Sequence, residues 1–219
     1  MIRQLIREMI LSEAAWTPEV LADDNYRIVV RNRYKTGQKI INLVDSASDG
    51  VLGHVTISKP NDYDGECAGA WVVNEAEVPE SLSGAGPLLY DVAMEVAGAD
   101  GLTADRSTVS PAARRVWDFY LNRRPDVASL PLDDLFGTIT PMDPYDDCRQ
   151  SASYDKEDYD DDGNPPDIDW EPGDVTLRKK YRGPNARMSF RSSPLSRVYK
   201  KTGRPTIERL QSLGLIRFE

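Results

Sequence analysis

The sequence predicts an α+β domain, and three observations carry that prediction. Three runs rich in β-branched residues each end in turn chemistry. A small-residue loop, Ser81-Leu82-Ser83-Gly84-Ala85-Gly86, opens into an apolar helix. A short apolar stretch then leads to a second helix that carries its own cap. Strands first and helices after is an α+β order, distinct from the regular alternation of a doubly wound sheet.

The β-branched runs are Tyr26 to Asn32, Lys39 to Asp45 and Val51 to Ser58. Lys35-Thr36-Gly37, Ser48-Asp49-Gly50 and Pro60-Asn61-Asp62 bound them, so the three read as an antiparallel meander. In the third run the sole histidine, His54, is in phase with Leu52 and Thr56, while Gly53, Val55 and Ile57 take the other face. It reads as a partly exposed strand histidine. Glu66 to Asn74 reads as a fourth strand, followed by a loop carrying Glu75, Glu77 and Glu80.

Gly84 and Gly86 let the backbone approach a bound group, and the first turn of the following helix has N–H groups with no internal partner, a place for an anion. Leu88, Leu89, Val92, Met94, Val96 and Ala97 make that helix apolar nearly all round, as a helix packed on a sheet should be. Gly101 to Asp105 reads as a short buried strand completing a β-α-β crossover. A helix is expected from Ser110 to Asn122, with Ser110 as cap, Pro111 at its first position, and Ala113, Val116, Trp117, Tyr120 and Leu121 as its apolar stripe.

Two cysteines, Cys67 and Cys148, lack C-x-x-C spacing or a histidine cluster, so neither a disulfide framework nor a zinc site is expected, and a reducing, intracellular setting fits. No apolar run is long enough to span a bilayer, and Arg3, Arg7 and Glu8 argue against a secretory leader, so no membrane partner is expected. The net charge of −9 conceals a partition. Pro144 to Asp174 holds twelve acidic and two basic residues; Val175 to Glu219 holds twelve basic and two acidic. The two blocks cancel, and the global charge says nothing about partners.

The segment from Trp71 to Arg124 resembles the core of the Gcn5-related N-acetyltransferase (GNAT) family, and also acetyltransferase-like proteins of tailed bacteriophages. The resemblance rests on a strand feeding a Q/R-x-x-G-x-G/A loop, here Ser81-Leu82-Ser83-Gly84-Ala85-Gly86, and on a helix after a short strand, here Ser110-Pro111-Ala112-Ala113-Arg114-Arg115-Val116-Trp117 with Tyr120 one turn on. It implies a mixed, mostly antiparallel sheet flanked by helices, and transfer of an acetyl group from acetyl-coenzyme A to an amine. It also implies that Gly84, Ala85 and Gly86 hold the pyrophosphate and that the Val72 and Val73 strand edge holds the pantetheine arm. Tyr120 is the candidate acid. A base is sought among Glu66, Glu75 and Glu77, of which Glu75 is the candidate carried forward. Ser81 stands where the family has Gln or Arg, Pro87 removes an N–H after the loop, and Trp117 takes the place of the family's tyrosine. These departures support a second expectation, a catalytically degenerate virion or assembly protein.

The domain organisation expected is residues 1–24 as an N-terminal amphipathic helix and connector, 25–142 as the GNAT-like domain, 143–174 as an acidic linker or loop, and 175–219 as a basic C-terminal extension ending in a short helix from Pro205 to Leu213. Ile2, Leu5, Ile6, Met9 and Ile10 form the apolar stripe of the first helix. Residues 1–15 and 175–219 are the expected contacts to phage structural proteins or to another copy of the chain. The basic residues near Tyr181, Phe190 and Tyr199 fit nucleic acid as well as they fit the chain's own acidic block, and no nucleic-acid motif is present. Asp158 to Gly163 matches the opening of a calcium loop, yet lacks the closing Glu and is interrupted by Pro165 and Pro166. The expected location is host cytoplasm or the phage particle.

Overall fold

The computed structural model describes residues 16–82, 84–137, 139–153 and 193–219. The expected helix over 1–15, the calcium-like loop at 158–163 and the basic run at 177–192 lie outside them.

The strand-forming runs behave as their composition demands. A short helix α1 (Pro18–Asp23) leads into the meander β1 (Tyr26–Arg33), β2 (Gln38–Asp45) and β3 (Val51–Ser58), paired antiparallel in sequence order. Then follow β4 (Trp71–Glu77), α2 (Ala85–Ala97), β5 (Leu102–Thr103), β6 (Thr108–Val109), α3 (Pro111–Arg123), β7 (Val127–Pro131), β8 (Ala152–Ser153), β9 (Arg197–Lys201), α4 (Pro205–Ser212) and β10 (Ile216–Phe218). Among the described residues eight strands form one mixed sheet in the order β10-β1-β2-β3-β4-β5-β9-β7, while β6 and β8 pair separately. The class is α+β, as expected, and among the described residues no helix is long and apolar enough to cross a membrane.

Alternation along the strands divides the sheet into an apolar and a polar face. Ile28, Val30, Ile41, Leu43, Val55, Ile57 and Val73 bury themselves under α2 and α4, against Leu88, Leu89, Val92, Met94, Ile207 and Leu210. Each such side chain contributes about 1.5–3 kcal/mol by leaving water. Helix α3 starts as the sequence specifies, with the Ser110 hydroxyl accepting from the Ala113 N–H. Its Trp117 ring meets Tyr90 of α2 edge-on, with centroids 5.1 Å apart, and Tyr199 of β9 at 5.0 Å.

Three features depart from the sequence expectations. The fourth strand begins at Trp71 rather than Glu66 and runs through the acidic residues to Glu77. Residues 67–69 form a 3-10 turn instead, because Cys67 and Ala68 both adopt positive φ, which no strand tolerates. The second departure explains the first: Cys67 is disulfide-bonded to Cys148, and its N–H donates to the Asp147 carbonyl. Two cysteines 81 positions apart carry no local spacing signal, so their proximity arises only in the folded chain. Third, the described part of the C-terminal segment is no appendage. It inserts β9 between β5 and β7 and lays β10 parallel to β1 at the sheet's other end, with α4 between them. Between β7 and β8 the chain folds around Asp133, whose carboxylate accepts from the Ile139 and Thr140 N–H groups.

Candidate active site

The site takes shape where β4 loses its β5 partner. Its pairing with β3 is interrupted by a bulge: Thr56 faces Glu75, Ile57 faces Val73, and Asn74 is the extra residue. A bulge re-aims the side chains around it. Here it keeps Val73 in the core while Asn74 and Glu75 both line the polar face. On its other side β4 runs parallel to β5 only at Trp71–Leu102 and Val72–Thr103, and then continues alone to Glu77. The strands part because the chain after β5 is held elsewhere. Buried Arg106 donates to the carbonyls of Ala104, Arg149 and Leu195, and burial pulls its pKa down to about 10. Val73 to Glu77 thus have no strand partner on the β5 side among the described residues.

Helix α2 begins beside this parting. Gly84 precedes it at φ 98, a left-handed conformation in which a side chain would be strained, and among the described residues no side chain caps the helix. The first-turn N–H groups of Ala85 and Gly86 have no i−4 partner within the helix, while Pro87 has no N–H to offer. Among the described residues nothing lies within 4 Å of where a Cβ on Gly86 would stand. The loop is braced from behind by Tyr120. Its hydroxyl is 2.7 Å from the Pro87 carbonyl and 2.9 Å from Asp91 Oδ1, and the side chain is only 1 % exposed. Burial, and then the charge of Asp91, push its pKa well above the usual tyrosine value. Tyr120 therefore faces into the α2–α3 packing rather than into an open cleft. Tyr120→Phe is expected to cost about 1–2 kcal/mol, read as a fall in the denaturation midpoint, because it removes the buried hydroxyl's hydrogen bonding to the first turns of α2.

On the polar face a groove of about 470 Å³ is lined by Arg33, Gln38, Ile40, Asn42, His54, Thr56, Asn74 and Glu75. His54 Nε2 lies 3.2 Å from Glu75 Oε2. An imidazole and a carboxylate at that distance can share a proton, and a groove open to solvent leaves room for a reacting molecule. Glu77 stands directly across the strand pair from His54. Glu66 is exposed at the other end of β4, before the 3-10 turn, and joins neither group.

Val72, Val73 and Glu75 thus lie on β4 and Gly84, Ala85 and Gly86 at the start of α2, with Tyr120 bonded to the first turn of α2; Val73 faces the α2 side of the sheet, whereas Glu75 faces the groove on the opposite side. His54 is the residue that strand periodicity alone undervalued. Its phase with Thr56 was the available signal, but its pairing with Glu75 depends on a bulge that periodicity does not reveal. Comparison with protein-family profiles, with curated proteins and with solved structures returns no match to this chain.

Proposed function

We propose that the chain is an acyltransferase of the Gcn5-related kind, moving an acetyl group from acetyl-coenzyme A to an amine. The observation that carries this reading is the parting of the parallel pair β4 and β5 directly before the uncapped start of α2. In sheets of parallel strands, the outer ends of such a pair beside a helix N-terminus are where ligands gather. Acetyl-coenzyme A would supply a thioester carbonyl already activated toward an amine. The residues present suit it. The unpaired backbone of β4 beyond Val72 offers hydrogen bonds to an extended amide-bearing arm. The Ala85 and Gly86 N–H groups offer donors to a pyrophosphate, and the open space at Gly86 leaves room for it. Glu75, with His54 at its side, takes the proton released as the amine nitrogen bonds to carbon and the carbon–sulfur bond breaks. Tyr120 braces the loop and is given no part in proton transfer.

Gly86→Glu tests this directly. The substitution meets no neighbour, improves helix propensity and favours the helix dipole, so the fold is expected to persist. It places a carboxylate where the pyrophosphate would sit. Calorimetric titration is expected to show acetyl-coenzyme A binding to the parent chain and at least about tenfold weaker binding to the variant. No heat from the parent at millimolar ligand, or equal binding by both chains, would overturn the reading.

A second reading is favoured by a different observation. Leu135, Phe136, Met142 and Tyr145 are exposed on one loop region, an unusual display of apolar surface. Together with Pro87 and the enclosed Tyr120, this suits a catalytically silent assembly protein. Detection of the chain in purified phage particles, with no coenzyme binding, would establish that alternative.

A further inference from the structure

We propose that His54, Glu75 and Glu77 form a binding site for a first-row divalent metal ion, Zn²⁺ foremost. One ligand atom from each residue lies within 4.8 Å of the others. The closest pair, His54 Nε2 and Glu75 Oε2, stands at 3.2 Å. Two ligands of a tetrahedral ion bonded at about 2.0–2.1 Å are separated by roughly 3.3 Å, so this edge of the polyhedron is already in place. A rotamer adjustment of Glu77 closes the third corner.

The site is built on paired strands rather than on a mobile loop. Glu77 is the register partner of His54, and the neighbouring Gly53 keeps β3 and β4 tightly apposed, since a Cβ there would fall 2.8 Å from the Glu77 carbonyl oxygen. The bulge at Asn74 brings Glu75 onto the same face. Beyond the three ligands the groove floor offers Asn42 and Thr56, and it leaves a fourth position open to water or substrate. One imidazole with two carboxylates suits Zn²⁺, Co²⁺ or Fe²⁺ over Ca²⁺ or Mg²⁺, which favour oxygen ligands alone. The other such group among the described residues, Asp133, Asp146 and Asp147, differs in kind. It has no nitrogen ligand, and the Asp133 oxygens are already occupied by the N–H groups of Asp134, Ile139 and Thr140. An ion at His54 would occupy the Glu75 lone pairs that acyl transfer would use, so the two uses of the groove are mutually exclusive, and the metal site stands whether or not the chain binds coenzyme.

Zn²⁺ titration of the full chain by calorimetry, paired with visible spectra of the Co²⁺-loaded protein, tests the assignment. One ion per chain is expected, with Co²⁺ bands of a four-coordinate nitrogen and oxygen site. His54→Ala and Glu77→Gln are expected to weaken binding about tenfold or more, with Glu77→Gln melting as the parent does because its side chain is exposed. Gly86→Glu keeps the full Zn²⁺ response, so the metal site and the coenzyme reading fail separately. No saturable binding at millimolar Zn²⁺ would overturn the proposal. So would binding that survives His54→Ala and is lost in Asp146→Asn, since the ion would then belong to the other cluster.

Discussion

Glu95→Leu is expected to destabilise the fold by about 3–5 kcal/mol, although the residue sits on a largely apolar helix. Glu95 is wholly enclosed, and both of its oxygens are used. Oε1 accepts from the Thr206 N–H at 3.0 Å and Oε2 from the Ile207 N–H at 2.7 Å, so the carboxylate caps α4 from a different helix. Lys201 Nζ lies 2.6 Å from Oε1 and is itself only 3 % exposed. Leucine would leave a buried ammonium facing Asp91 at 3.6 Å as its nearest remaining carboxylate, and two helix N–H groups unmet. For a chain of this length the expected fall in Tm is roughly 6–20 °C. The double variant Glu95→Leu/Lys201→Met is expected to recover much of that loss, because the uncompensated charge disappears with its partner. A single variant that melts within about 1 °C of the parent would mean that the ion pair does not join α2 to the C-terminal segment.

The disulfide is expected to have an effect of similar size. Cys67 and Cys148 close a loop of 81 positions, for which the chain-entropy estimate is about 4.5 kcal/mol. The bond holds the Asp147–Gln150 stretch against the start of β4, where Arg106 reaches the Arg149 carbonyl. Cys67→Ala/Cys148→Ala is therefore expected to lower Tm by roughly 9–18 °C and to abolish any dependence of the parent's Tm on added reductant. A parent chain whose thiols titrate fully without reductant, and whose melting does not respond to reductant, would contradict the pairing.

Sequence patterning reached the meander closely, because strand boundaries there are set by local chemistry. β-branched alternation between Lys35-Thr36-Gly37 and Ser48-Asp49-Gly50 leaves few other choices. The capped helix from Pro111 and the short helix from Pro205 were equally legible, since a cap and an initial proline are local signals. What escaped is long-range. Nothing near Arg197 to Lys201 announces that this stretch lies between β5 and β7, and its basic character made it look like a tail. Glu95 carried no local signal, and only the return of Lys201 and α4 shows why a charge belongs there. The candidate site divides in the same way. The Gly84 to Gly86 turn is a local signal and Glu75 was one of three carboxylates the sequence did not choose among, whereas the His54–Glu75 pair depends on a bulge and on strand register. Tyr120 was placed on the correct helix face. That face turned inward because Tyr90 and Tyr199 flank Trp117, and the whole aromatic row packs as one unit.

The proposal that coenzyme binds in the parting of β4 and β5 is tested most directly by amide hydrogen exchange with and without acetyl-coenzyme A. Binding there predicts new protection confined to the edge of β4 from Val73 to Glu77 and to the Ala85 and Gly86 amides, with the β1–β2 meander unchanged. Unchanged exchange at saturating ligand, or protection that falls on other strands and spares these amides, would contradict it.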